Sequence, residues 1–199
     1  MLCHVGPIGA WEGIRRLGFR TASQLIADAD LDDEDRSRLL TQPRRDSCRL
    51  IVHDMEVVLR DQGPLFARRD LASIMGDGMS VTDWIQILNK RVYLFAHPAA
   101  LNKVLDKYVD RDGGQEVITF DRRRLLEIYR NRIELSAQNT GAVARVIGPQ
   151  KHRDTFKSIG AFPDRVPSEI TVVDGIDDLS VVLSVERHLL GGSKTRLAI

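Results

Sequence analysis

The stretch Pro167-Ser168-Glu169-Ile170-Thr171-Val172-Val173 reads as an apolar strand of β-preferring residues opened by a single glutamate. A turn at Asp174-Gly175 and the acidic Asp177-Asp178 separate it from a second strand, Val181 to Glu186. At the other end of the chain, Leu2-Cys3-His4-Val5-Gly6 holds a short strand, Leu2 to Val5, with a histidine at its rim. A polar side chain at the edge of an apolar strand faces either water or a cleft. His4 and Glu169 are therefore a wide-set pair of candidate site residues.

Between these ends helices and strands alternate without a fixed period, which predicts an α+β domain and no repeat array. Gly6-Pro7 breaks the first strand before a helix from about Ile8 to Leu17, with Trp11, Ile14 and Leu17 on one face and Gly18 at its end. Thr21 and the run Asp32-Asp33-Glu34-Asp35 mark two more helix starts. The basic, polar run Gln42 to Arg49 reads as a loop, followed by short strands at Leu50 to His53 and Glu56 to Arg60. Arg69 to Met75 reads as helical, and Ser80 caps a helix carrying Trp84, Ile87 and Leu88. That helix leads into the strand Arg91-Val92-Tyr93-Leu94-Phe95. After His97-Pro98 comes a helix with Leu101, Val104, Leu105 and Tyr108 on one face, ended by Gly113-Gly114. Glu116 to Phe120 alternates as a strand, Asp121 caps a short helix through Tyr129, and Ile133 to Ser136 is extended. Ala137 to Pro167 is a long polar loop system with one helical turn near Arg153 to Ser158. Residues 1–188 form one domain, and 189–199 read as a flexible C-terminal tail.

With 29 basic and 28 acidic residues the formal net charge is +1, so no global field marks a nucleic-acid or membrane binder, and any basic patch is local. Two scattered cysteines, Cys3 and Cys48, read as reduced thiols, and five single histidines offer no metal-ligand spacing. No metal is expected. The first residues lack a basic segment followed by an apolar one, and no apolar run approaches membrane-spanning length, which points to a cytoplasmic protein. Neither a GxSxG elbow nor a GxxxxGK[ST] loop is present, which disfavours serine hydrolases and phosphate-loop NTPases.

Alternation puts Arg91 and Tyr93 on one side of their strand, an aromatic face for a flat ligand beside a fork for phosphate. Asn139-Thr140-Gly141 is a candidate ligand-facing loop. Arg60 and Gln62, polar residues ahead of Gly63-Pro64, are candidates for the same cleft.

The order of these segments resembles the DarT-type ADP-ribosyltransferases and a related bacterial family: His4 in the first strand, the Ile-x-x-Leu-Gly-Phe helix end, the helix-to-strand unit ending Arg91-Val92-Tyr93-Leu94-Phe95, and Ser168-Glu169-Ile170-Thr171-Val172-Val173-Asp174. The likeness runs from His4 to Asp178. It implies a split pair of small mixed or antiparallel sheets, flanked by helices, clasping NAD as substrate. It further implies that Glu169 is the catalytic carboxylate, that His4 bonds a ribose of NAD with Gly6 beside it, that Tyr93 stacks near nicotinamide, and that Arg91 steadies the pyrophosphate or presents the target. Arg60, Gln62 and Asn139 would then face the acceptor. The acceptor implied is a nucleic-acid base or another cellular group, the setting a toxin or defence effector, and a partner an antitoxin protein. The chain lacks the Ser-Thr-Ser strand and the QxE or ExE doublet of arginine-modifying toxins. Two rivals stand beside this reading. One is a non-catalytic module holding nucleic acid or protein through Arg44-Arg45 and Arg122-Arg123-Arg124; the other is an RNA 2′-phosphotransferase-like enzyme.

Overall fold

The computed structural model describes residues 2–67, 70–141 and 149–199. Its architecture is mixed α and β, with small antiparallel sheets and six α-helices among the described residues. One four-stranded sheet is ordered β1 (Leu2–Pro7), β5 (Gly114–Phe120), β9 (Val182–Leu189), β10 (Lys194–Leu197). A second is ordered β4 (Arg91–Leu94), β8 (Glu169–Val173), β6 (Ile133–Ser136), β7 (Phe156–Ser158). A separate hairpin joins β2 (Cys48–Val52) to β3 (Met55–Leu59) through His53 and Asp54, both at positive φ.

The helices start where their caps place them. Thr21 accepts from the Gln24 amide and Gln24 returns a bond to the Thr21 amide, a reciprocal box that opens α2 (Ala22–Asp28). Asp32 caps α3 (Asp33–Thr41), Ser80 with Asp83 boxes α4 (Val81–Asn89), and Asp121 caps α6 (Arg122–Tyr129). Helix α1 (Ala10–Leu17) ends at Gly18, and α5 (Pro98–Asp112) ends at Gly113 in the left-handed conformation.

Period-two alternation divides each sheet into faces. In the second sheet Val92, Leu94, Ile133 and Val172 enter the main core with Trp11, Phe19, Ile118 and Phe120. Arg91, Tyr93, Glu134, Ser136, Glu169 and Thr171 take the opposite face, as the pairings Tyr93↔Thr171, Glu134↔Thr171 and Ser136↔Glu169 require. Helix α5 covers Cys3, Val5 and Val117, while α2 and α3 pack on the β2–β3 hairpin through Ile26, Leu39, Leu50 and Val52.

Several sequence expectations are corrected. Gly6 and Pro7 continue the first strand, pairing with Glu116 and Gln115, and the helix begins at Ala10. Residues 153–158 contain a strand, Phe156–Ser158, in place of a helical turn, because the Phe156 ring is buried against Trp84. The expected tail instead forms a hairpin: Gly191 and Gly192, both at positive φ, turn β10 back onto β9, and the Trp11 indole donates to the Ala198 carbonyl. Arg69 of the helix expected over Arg69 to Met75 lies outside the described residues, which begin again at Asp70 and show a single 3₁₀ turn, Ala72–Ile74. Part of the long loop, 142–148, is likewise outside them.

Candidate active site

The two four-stranded sheets touch at one bridge, where Cys3 and Phe95 exchange backbone hydrogen bonds of 2.9 and 2.7 Å, and then splay apart. The next carbonyl in such a ladder, Tyr93 O, would accept from the backbone of β1 if the strands stayed together. It accepts instead from the His4 ring, Nδ1 to O 3.0 Å. A carbonyl only accepts, so Nδ1 carries the proton and Nε2 keeps a free lone pair. Burial, and secondarily the charge of Arg60, push His4 down to about 4, so the ring is neutral at physiological pH.

A cleft of about 1100 Å3 opens at this split. Its walls include all eight residues singled out from the sequence: His4, Gly6, Arg60, Gln62, Arg91, Tyr93, Asn139 and Glu169. Helix α1 borders it, fixed by Glu116, a buried carboxylate that accepts from the Trp11 amide at 2.8 Å and from Arg187 at 2.7 Å. Gly6 lets α1 come this close, for a Cβ there would lie 2.6 Å from the Ala10 Cβ. Gly6→Ala is expected to cost about 1–3 kcal/mol by forcing α1 away, read as a lower urea midpoint at unchanged slope.

Glu169 opens β8 with its carboxylate turned to the loop above it. It accepts from the Thr140 hydroxyl and from the backbone amides of Thr140 and Gly141. Burial pushes its pKa up, and those bonds together with the charge of Lys151 oppose the rise. Tyr93 stands on the same sheet face, packed against the apolar cluster that holds Trp84, Leu88 and Phe156, with its hydroxyl donating to the Leu88 carbonyl at 3.4 Å. Burial, reinforced by the nearby Glu169 charge, pushes the phenol well above its ordinary value.

Arg91 shares the sheet face and the cleft wall with Tyr93, as alternation predicts, but its guanidinium is already engaged. Its guanidinium is taken up by Glu134, with Nε to Oε2 at 3.0 Å, by the Ile87 carbonyl, and by the Phe156 ring at 4.1 Å. Gln62 is occupied as well, accepting from the Arg44 amide and donating to Asn89. Asn139 contributes its backbone carbonyl to Lys151.

Arg44, read as part of a polar loop, is 8% exposed and lies in the cleft wall. Its Nε donates to the Arg60 carbonyl and its Nη1 to Leu39 O and Asn89 Oδ1, which leaves Nη2 unpartnered and no carboxylate in ion-pair reach among the described residues. Burial pushes Arg44 down to about 10, so it stays charged. Arg60, stacked on Tyr108 at 4.2 Å and bonded to Gln115, also has no ion pair among the described residues. The nearby Asp61 and Asp112 both pair with Arg111. Arg122 and Arg123 border a shallow groove on α6 that shares no residue with the cleft.

The His4 shift has a signed consequence for stability. The unfolded ring titrates at about 6.5 and the folded one at about 4, so the unfolded state binds the proton first as pH falls. The contribution is complete above about pH 6.5 and is lost between there and about pH 4, roughly 3 kcal/mol in all. Glu169, raised by burial, acts with the opposite sign at low pH. The test is therefore a difference: His4→Asn should flatten the loss of unfolding free energy between about pH 6.5 and pH 4.

Among the described residues no group of three or more His, Cys, Asp or Glu side chains is placed to hold a metal ion, and no helix is long and apolar enough to cross a membrane. The chain belongs to a family of unknown function, DUF7002, which matches residues 1–186. No curated protein and no solved structure matches it.

Proposed function

We propose that this member of the DUF7002 family is an NAD-dependent ADP-ribosyltransferase of the split-sheet type, with NAD as substrate in the cleft between the two sheets. The observation that carries the reading is the meeting of His4, Tyr93 and Glu169 on one cleft, from strands separated by most of the chain. The donor set fits the molecule. The His4 Nε2 lone pair suits a ribose hydroxyl, the Tyr93 ring suits a flat nicotinamide, and the unpaired guanidinium of Arg44 beside Arg60 suits a diphosphate. The diphosphate role passes from Arg91, whose charge is spent on Glu134, to Arg44.

NAD supplies a ribose whose bond to nicotinamide breaks with positive charge building on the sugar. The Glu169 carboxylate, held by the Thr140 hydroxyl and two amides, stabilises that charge more in the transition state than in the ground state. The same carboxylate takes the proton of the incoming nucleophile. The acceptor is a nucleic-acid base or another cellular group, in keeping with a toxin or defence role opposed by an antitoxin protein. Calorimetric titration with NAD, followed by assay of free nicotinamide, tests the reading. It fails if no heat of binding is found at millimolar NAD.

A second reading is favoured by the uncompensated Arg44 and Arg60, which suit a phosphorylated RNA as well as a diphosphate. An RNA 2′-phosphotransferase would consume NAD only when a 2′-phosphorylated oligonucleotide is added. A nucleic-acid-binding module would instead show salt-dependent affinity for RNA or DNA and none for NAD.

A further inference from the structure

Lys151 is 1% exposed and has no ion-pair partner among the described residues, an unusual setting for an ammonium group. Its backbone is pinned on both sides: the amide donates to Ile74 O at 2.7 Å and the carbonyl accepts from the Gly76 amide at 2.8 Å. The following residues hold the same segment, His152 to Asp77 at 2.8 Å and Arg153 to Asp83 at 3.4 Å. From this anchor the side chain runs inward. Its Nζ lies 5.8 Å from the centre of the Trp84 ring and donates to Gln138 Oε1 at 2.8 Å and to Asn139 O at 3.2 Å. The next residue is Thr140, whose hydroxyl and amide hold the Glu169 carboxylate.

We propose that Lys151 is a positioning residue for Glu169, fixing the Gln138–Thr140 turn that grips the carboxylate and supplying the counter-charge that faces it. This rests on the reading of Glu169 as the reactive carboxylate. The other groups on that sheet face leave the task to Lys151. Tyr93, from β4, is a phenol held neutral by burial. Arg91 and Glu134 on the same face neutralise each other. Burial pushes the Lys151 ammonium down, and the Glu169 charge pushes it back up, which is the same attraction seen from the other side.

A lysine that merely tethered the loop would be replaceable by a neutral donor; one that supplies charge would not. The test compares Lys151→Met with Lys151→Gln, which keeps donors for the two carbonyls. Both are first checked for an intact melting transition. The Glu169 carboxyl is followed by NMR with carboxyl-labelled glutamate, its resonance assigned with Glu169→Gln. Both variants are expected to titrate Glu169 at higher pH than the wild type. The acidic limb of the nicotinamide-release profile should move to higher pH with it, release on that limb falling about tenfold for each unit of displacement. An unmoved titration in both variants, or a wild-type pH profile restored by glutamine, overturns the proposal. A wild type that releases no nicotinamide while the Glu169 titration moves in both variants sinks the catalytic reading alone and leaves the coupling standing.

Discussion

Glu169→Gln is expected to lower nicotinamide release by about 10³-fold while leaving the fold in place. Glutamine keeps the shape of the side chain: its carbonyl oxygen can still accept from the loop amides, and its NH2 can donate to the Thr140 hydroxyl oxygen. What it loses is the negative charge, the property that is worth more as positive charge develops on the ribose than before it does. Stability should hardly change, because burial already disfavours the ionised carboxyl and the neutral amide escapes that cost. Chromatographic assay of nicotinamide beside a thermal melt separates the two effects. Unchanged release in a folded variant would remove Glu169 from the chemistry.

Arg44→Gln is expected to weaken NAD binding about 100-fold, with little change in the turnover of bound substrate. A buried guanidinium that meets an anion only when ligand is present contributes on the scale of about 2–5 kcal/mol. Because it sits away from the breaking bond, the loss should fall on affinity, raising KM and leaving kcat alone. Arg91→Gln provides the contrast. It strands Glu134, so it should lower stability through an unpaired, partly buried carboxylate and leave the affinity of the folded fraction unchanged. If Arg91→Gln lost affinity and Arg44→Gln did not, the diphosphate assignment would be reversed.

The elements that the sequence discloses are those whose causes are local. Thr21, Ser80 and Asp121 cap their helices through bonds reaching two or three residues, and Gly18 and Gly113 end theirs where the backbone leaves the helical conformation. The Gly191-Gly192 turn was equally local, yet β10 depends on β9 being there to receive it, and the pair looks like fraying until that partner is known. Arg91 shows the same limit at longer range. Its strand position and the side it shares with Tyr93 follow from alternation, but the carboxylate that takes its charge lies 43 residues further on. Arg44 and Lys151 carry no local mark at all. Each sits in a polar loop that composition assigns to the surface, and each is buried by elements distant in sequence, Arg44 by Arg60 and Asn89, Lys151 by Trp84 and Gln138. Cleft membership of His4, Tyr93 and Glu169 came from family resemblance, and its physical cause is the single Cys3–Phe95 bridge at which the sheets part.

The most direct measurement is a crystal structure of the chain soaked with NAD, or with ADP-ribose and nicotinamide together. A ribose hydroxyl is expected on His4 Nε2, the diphosphate against Arg44, and the nicotinamide ribose between Tyr93 and the Glu169 carboxylate. A ligand bound elsewhere, or a cleft that stays empty at saturating NAD, would contradict that placement.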